Sequence, residues 1–467
     1  MSNTNIDLKN INKIHMIGIG GVSMSGVAVM LKRAGFTVTG SDAFDGDMIK
    51  ILRNENIPVH IGHNKDLVKD ADLIVYTAAI KDSDEELSYA HEIGKPTLER
   101  APFIGILLKE YEKPICIAGM HGKTTTTSMI ASSFMHLDTH PTVLVGSKLK
   151  ELGDVNYLIG ENKYFVLEAC EYVDSFLNFP PETAVILNIE EEHLDYFKDI
   201  NQIKQSFTKF ISMLPKNGKL IINKDDENCN DVLLSLQSFI QENNITVLTY
   251  SLKDKSANLY ADNIAINENG CYKYDLYING KYVTDISLNA PGKHNVANSL
   301  ATVGSIYANN LDILKAKEGI ENFTGASRRF EYKKTIGDNV NVYDDYAHHP
   351  TEIKATLESA RNKSKNRVIA VFQPHTYSRT KLLFDKFAHA FNNADFVILT
   401  DIYAARESFD ETISSKMLAD ELVRNGINAM YISSFEDIAK KIKEIIEPND
   451  IVLTIGAGTI TKLSDLL

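Results

Sequence analysis

The chain has 467 residues, too many for one ordinary hydrophobic core, so two to four domains are expected. Hydrophobic content of 44% and charged content of 24% describe a soluble globular protein. The net charge of -13, with no dense Lys/Arg cluster, argues against a nucleic-acid footprint but leaves room for a local anion pocket.

Four cysteines, Cys116, Cys170, Cys229 and Cys271, are widely separated, which fits a reduced intracellular chain and not a disulfide framework. The amino terminus "MSNTNIDLKN" is polar, and no stretch approaches 18 apolar residues. The expectation is a cytoplasmic protein without membrane insertion.

In chain order, apolar runs of strand length alternate with helix-length periodic segments, the pattern of parallel α/β units. A first sheet is predicted from "KIHMIGIG" (13–20), "FTVTGSD" (36–42) and "DLIVYTAAI" (72–80), followed by a charged linker at 108–114. A second begins at "PICIAG" (114–119) and continues through "KYFVLEAC", "TAVILNI" and "GKLIIN". Residues 245 to 290 alternate with period two and predict a small antiparallel appendage; "HNVANSLATVGSIYANN" predicts a helix. A third set restarts after 323 with "NVNVYDDYA", "RVIAVFQP", "DFVILTDIY" and "DIVLTIGAG". The predicted fold is therefore α/β, with domains at 1–108, 109–323 and 324–467.

Two glycine turns carry the chemistry. In "HMIGIGGVSMSG" (15–26), Gly18, Gly20 and Gly21 follow a strand and open a helix, where glycines let a diphosphate approach the helix amino terminus. Asp42 ends the next strand, the place of an acidic group that meets a ribose hydroxyl. Ser23 replaces the third glycine of G-x-G-x-x-G, and the residues alone do not separate NAD from a nucleotide-sugar diphosphate.

In "IAGMHGKTTTTSM" (117–129), Gly119, Gly122, Lys123 and Thr124 form G-x-x-G-K-T, shorter than the standard P-loop. Backbone amides there would cradle phosphates, Lys123 would reach the β and γ oxygens, and Thr124 would hold Mg2+. Glu168 ends "YFVLEAC" and His193 follows "ILNIEEE", both at strand carboxyl ends of the same sheet, and with Thr124 they make a candidate Mg2+ shell.

Together with "LEACEYVDSF", "NIEEEHLDYF", "GKHNVANSLA", "RRFEY", "DDYAHHPTEI", "FQPHTYSRT" and "LTIGAGTI", these segments resemble, in order along nearly the whole chain, the motifs of the Mur ligases. The resemblance implies a Rossmann-like UDP-binding domain, a central P-loop-type ATPase domain and a Rossmann-like carboxy-terminal domain that brings the amino acid. It implies ATP-dependent joining of L-alanine to the carboxylate of UDP-N-acetylmuramate through an acyl phosphate, by a monomer or homodimer with ATP and Mg2+.

On that resemblance the first turn, with Asp42 and Ala79, holds the UDP part of the substrate. Gly119, Met120, His121, Gly122, Lys123, Thr124, Thr125, Asn295, Arg329 and Asp345 meet ATP. Thr124, Glu168 and His193 carry the metal, while Tyr346, His348, His375 and Arg379 form the amino-acid pocket. Lys123, His193, Asp345 and Arg379 are the implied catalytic groups.

His294 and Asn295 are expected just before a helix, where capping is an equal alternative to nucleotide contact. One of Arg328 and Arg329 is expected to reach a phosphate and the other to be a surface charge. Thr376 stands where many relatives have Arg, which leaves its role open, as are those of Glu171 and Asp174. No lysine is nominated as a carbamylated metal ligand. The readings that compete are a ligase adding a preformed tripeptide to UDP-N-acetylmuramate, a nicotinamide-dependent oxidoreductase and a nucleotide-controlled switch.

Overall fold

The computed structural model describes residues 6–149, 152–193 and 196–467, so the first five residues of the polar amino terminus and positions 194 and 195 of "NIEEEHLDYF" lie outside it. The chain forms three consecutive α/β domains. By packing it divides into two compact units, Met1–Tyr260 with Leu300–Gly319, and Ala261–Ser299 with Ile320–Leu467.

In the first unit, β1 (Lys13–Ile17), β2 (Thr37–Asp42), β3 (Val59–Ile61), β4 (Leu73–Tyr76) and β5 (Thr97–Glu99) form a parallel sheet in the order β3-β2-β1-β4-β5. Ile14, Met16, Leu73 and Val75 pack with Val27 and Leu31 of the helix Val22–Arg33 in one core. The order reverses between β1 and β4, which opens a crevice at their carboxyl ends, where open α/β sheets take ligands.

The same unit holds β6 (Lys113–Ala118), β7 (Thr142–Leu149), β8 (Val155–Leu158), β9 (Tyr164–Glu168), β10 (Thr183–Ile186), β11 (Lys219–Asn223) and β12 (Thr246–Ser251), in the order β12-β11-β10-β6-β9-β7-β8. All neighbours are parallel except β7 and β8. Ile115, Ile117, Val166 and Val185 are buried on central strands covered on both faces, which is why these runs read as continuously apolar. Because β6 lies between β9 and β10, the loop after β6 emerges between the ends of the strands that carry Glu168 and Asn188.

The antiparallel appendage expected over 245–290 is smaller than its period-two pattern suggests. β12 pairs parallel with β11 and with the start of β13 (Leu259–Ile266). Its alternating burial made a parallel strand look antiparallel. The appendage begins at β13, beside which lies β14 (Tyr272–Ile278), and β14 pairs antiparallel with β15 (Lys281–Ser287) in the second unit.

That unit also holds β16 (Glu331–Ile336), β17 (Val340–Asp345), β18 (Val368–Phe372), β19 (Phe396–Leu399), β20 (Ala429–Tyr431) and β21 (Ile451–Ile455), in the order β16-β17-β21-β18-β19-β20. Only β16 runs antiparallel to its neighbour. The carboxyl ends of β17, β18 and β21 bring Asp345, His375 and residues 456–458 to one edge of the sheet. Among the described residues no helix is long and apolar enough to cross a membrane.

Candidate active site

At the first turn, Gly21 precedes the helix Val22–Arg33 with no side-chain cap. The Gly20 amide donates to Asp42 Oδ2 at 2.9 Å, and a Cβ on Gly20 would lie 2.8 Å from that oxygen. Asp42 Oδ1 accepts from the Phe44 amide at 3.1 Å, so the carboxylate fixes both loops; its remaining lone pairs can still take a hydroxyl. Ala79 is exposed in the loop after β4, whose Thr77 side chain faces Gly18.

Sequence reasoning missed Arg100. Its guanidinium donates to Ser23 Oγ at 2.9 Å, so the serine in the third glycine position anchors a partly buried cation beside the start of this helix. No local motif around "LERAPF" announces that contact.

At the second turn, the helix Lys123–His136 starts directly after Gly122, which puts Lys123, Thr124 and Thr125 in its first turn with no side-chain cap on their amides. Asn188, also missed, clamps the loop: its Oδ1 accepts from the His121 amide at 2.8 Å and its Nδ2 donates to the His121 carbonyl at 3.0 Å. The signal was a single asparagine ending an apolar strand. Met120 is buried, and the His121 ring lies 3.8 Å from Glu190 and 4.0 Å from Glu192.

The Lys123 ammonium is held by the Gly119 and Met120 carbonyls at 2.5 and 3.1 Å and by Glu171 Oε2 at 2.9 Å. Burial alone would lower the Lys123 pKa, but the Glu171 carboxylate outweighs it, with smaller help from Cys170 and Glu168, and the ammonium form is reinforced. Burial pushes the Glu171 pKa up, and Lys123 with the His193 hydrogen bond brings it below the usual carboxylate range. His193 Nε2 stands 3.4 Å from Glu171 Oε1, and its ring lies 4.7 Å from the Tyr172 ring.

Glu168 accepts from the Thr124 hydroxyl at 2.9 Å and from the Gly146 amide at 2.6 Å. A hydroxyl and a carboxylate in contact are hard oxygen donors, the chemistry that suits Mg2+. Among the described residues no three His, Cys, Asp or Glu side chains gather as a metal shell, and His193 is paired with Glu171. Asp174 receives the Tyr196 hydroxyl at 2.8 Å and also the Ser206 hydroxyl, which ties down a segment whose Val173 and Asp174 adopt φ of 49° and 56°. Left-handed backbone at a β-branched residue is strained and persists only where its surroundings enforce it.

In the second unit, Asp345 is buried and accepts from the Phe330 amide at 2.8 Å and the Ala347 amide at 2.7 Å. Burial pushes its pKa up to about 6, against the pull of Arg329. The two arginines differ in their contacts, and neither is the exposed surface charge expected of one of them, both being half-buried. Arg328 donates to Asp344 at 2.9 Å and to the Gly456 carbonyl at 2.6 Å and so belongs to the fold; Arg329 lies over the Tyr346 ring at 5.4 Å, 3.9 Å from Glu352.

His349 is buried and caps the helix Pro350–Lys363, whereas the His348 ring lies 5.5 Å from Tyr346 and 6.0 Å from His375. His375 Nδ1 is 3.2 Å from Arg379 Nη1 and must accept from that guanidinium, which places the ring proton on Nε2. Burial, then Arg379 and His348, lower its pKa to about 4. Thr376 takes φ 67° and caps the helix Tyr377–Leu382, so the position whose role was open shapes the turn that carries His375 and Arg379.

Asn295 corrects an expectation: the helix begins at His294, so Asn295 stands inside its first turn. Its amide donates to the Pro291 carbonyl at 2.7 Å, and its Oδ1 accepts from Asn298 at 2.8 Å.

Family models match three stretches: the Mur ligase family catalytic domain over residues 13–112, the Mur ligase middle domain over 117–306, and the Mur ligase glutamate ligase domain over 328–458. The chain is 44% identical over 461 residues to the UDP-N-acetylmuramate--L-alanine ligase of Acetivibrio thermocellus, covering 99% of this chain and 96% of that protein. It is 46% identical over 460 residues to the protein of that name from Caldanaerobacter subterraneus subsp. tengcongensis, covering 98% of each. The crystal structure of UDP-N-acetylmuramate-alanine ligase MurC from Thermotoga maritima superposes with a TM-score of 0.82 at 29% identity, covering 97% of each chain.

Proposed function

The chain belongs to the Mur ligase family, and we propose that it joins L-alanine to the carboxylate of UDP-N-acetylmuramate with ATP as the energy source. The muramate carboxylate oxygen attacks the γ-phosphorus and ADP leaves; the alanine nitrogen then attacks the acyl carbon, phosphate leaves, and the nitrogen loses a proton. Such a protein acts in peptidoglycan precursor synthesis in the cytoplasm, as a monomer or homodimer.

The observation that carries the reading is the second turn. Lys123 stands fully charged in a buried loop, next to uncapped helix amides and the Thr124–Glu168 pair. The Lys123 donors are held by the Gly119 and Met120 carbonyls and by Glu171, and a bound nucleotide would draw the ammonium from the carbonyls onto the transferring phosphoryl group, where a desolvated charge is worth far more than a solvated one. Thr124 and Glu168, with His193 as a third donor, are the residues proposed to hold Mg2+, which supplies neutralisation of phosphate charge when bound. The first turn holds the UDP part, and Arg379 with His375 receives the amino-acid carboxylate, since a guanidinium fork matches a carboxylate. The division into 1–108, 109–323 and 324–467 assigns these parts to UDP substrate, ATP and amino acid.

The test is phosphate release with ATP and Mg2+ present. It is expected only when UDP-N-acetylmuramate and L-alanine are supplied together. Release with a tripeptide but not with L-alanine would overturn the choice of amine, and NADH binding without a response to UDP-N-acetylmuramate would overturn the reading of the first turn.

A further inference from the structure

The loop between β2 and the helix Asp47–Asn54 presents an aromatic ring for which the fold has no use. Phe44 is 81% exposed, the most exposed large hydrophobic side chain among the described residues. Its backbone is fixed all the same. The Phe44 amide donates to Asp42 Oδ1 at 3.1 Å, and the other oxygen of that carboxylate holds the Gly20 amide at 2.9 Å. The neighbouring acidic residues are engaged elsewhere, Asp45 with Arg53 at 2.9 Å and Asp47 with Lys50 at 3.0 Å. A ring exposed to water on an anchored backbone, two residues from the carboxylate that organises a glycine turn, has the placement of a binding element.

We propose that Phe44 is the stacking platform for the base of the nucleoside-diphosphate substrate, an inference that rests on the first glycine turn holding the UDP part. In a strand-turn-helix site of this kind the diphosphate lies at the helix amino terminus after β1 and the ribose at the end of β2. The base then continues outward past the end of β2, toward the loop that carries Phe44. Every base has a π face, so an aromatic ring there adds affinity, and the energy comes from contact area and not from a new hydrogen bond.

The chain contains no tryptophan, so Phe44→Trp introduces a single indole at this position. Its emission, excited where tyrosine does not absorb, is expected to change saturably with UDP and with uridine, at the concentrations at which calorimetry reports binding, and to ignore inorganic phosphate. Phe44→Ala is expected to weaken UDP binding by about 5- to 100-fold, to leave ATP binding at its original strength, and to be rescued by Phe44→Tyr. The proposal is overturned if UDP binds by calorimetry while the indole emission stays constant and Phe44→Ala binds UDP as the unsubstituted protein does; the reading of the first turn then survives. Failure of UDP to bind the unsubstituted protein overturns both.

Discussion

Lys123 and Glu171 can be separated into what they do for stability and what they do for turnover. Glu171 is completely buried and Lys123 nearly so, 2.9 Å apart. Lys123→Ala therefore leaves a buried carboxylate without its partner, which commonly costs about 3–5 kcal/mol. It should also lower turnover by roughly a hundred- to a thousandfold, the scale of losing one charge-stabilising donor. Lys123→Met combined with Glu171→Gln should regain most of the stability and none of the activity. Urea unfolding measures the first quantity, and borohydride trapping of the acyl phosphate without alanine measures the second. Wild-type acyl-phosphate formation by Lys123→Ala would exclude the loop from phosphoryl transfer. A second prediction comes from opposed titrations. Asp345, with a folded pKa of about 6 against about 3.9 unfolded, binds its proton more tightly when folded, so its contribution is fully present below pH 4 and lost as pH rises through 6. His375, at about 4 against about 6.5 unfolded, is protonated preferentially when unfolded, so its contribution is fully present above pH 6.5 and lost as pH falls through 4. The slopes oppose each other between pH 4 and 6. Asp345→Asn should make stability climb more steeply with pH across that window, and His375→Gln should make it fall. Urea midpoints from pH 4 to 6.5 decide; unchanged slopes in both variants would refute the two shifts.

At the scale of elements, strands buried on both faces were legible because nothing but continuous apolar sequence can fill them, as in "ICIAG" and "VILNI". The edge strand β12 was not, because one packed face gives the same alternation in a parallel or an antiparallel neighbour. The segment Tyr172–Asn178 was also illegible: its left-handed Val173 and Asp174 depend on Tyr196 and Ser206, more than twenty residues away in sequence. A further contact fixes this segment from the other side. A Cβ on Gly105, within the helix Arg100–Leu108, would lie 2.0 Å from the Asn178 carbonyl oxygen, a distance at which one element must move. Gly105→Ala improves helix propensity and would stabilise an isolated helix, so destabilisation is a specific signature of this contact. The expected loss is about 1–3 kcal/mol, with turnover falling as the segment that begins after Glu171 shifts. Calorimetric melting and turnover of the variant check both; a more stable variant would mean the two elements are not packed this closely.

At the scale of the whole molecule, motif order along the chain made three domains and the two glycine turns legible, whereas the polar partners that hold each turn came from far apart in sequence. Arg100 reaches Ser23 across 77 positions and Asn188 reaches His121 across 67, and a reading that proceeds by local windows does not find such pairs. The two glycine turns nevertheless fall in the same compact unit, so ligands at both should stabilise one body. Each ligand stabilises the folded state by RT ln(1 + [L]/Kd), about 2.7 kcal/mol at a hundredfold excess over Kd. UDP and ATP with Mg2+ should therefore each raise unfolding stability alone, and together by the sum if the turns are independent sites. Gly20→Ala places a methyl group 2.7 Å from Ile49 Cδ1 and 2.8 Å from Asp42 Oδ2, disturbing the first turn and the packing beside it but not the second turn, so it should abolish the UDP increment and leave that of ATP. Lys123→Ala should do the reverse, because its charge serves the second turn. Denaturation of the unsubstituted protein and of both variants, with each ligand and with both, gives nine increments that must follow this pattern. Loss of both increments in either variant would mean that the turns do not act as separate sites, and a sum that exceeds its parts would measure their coupling.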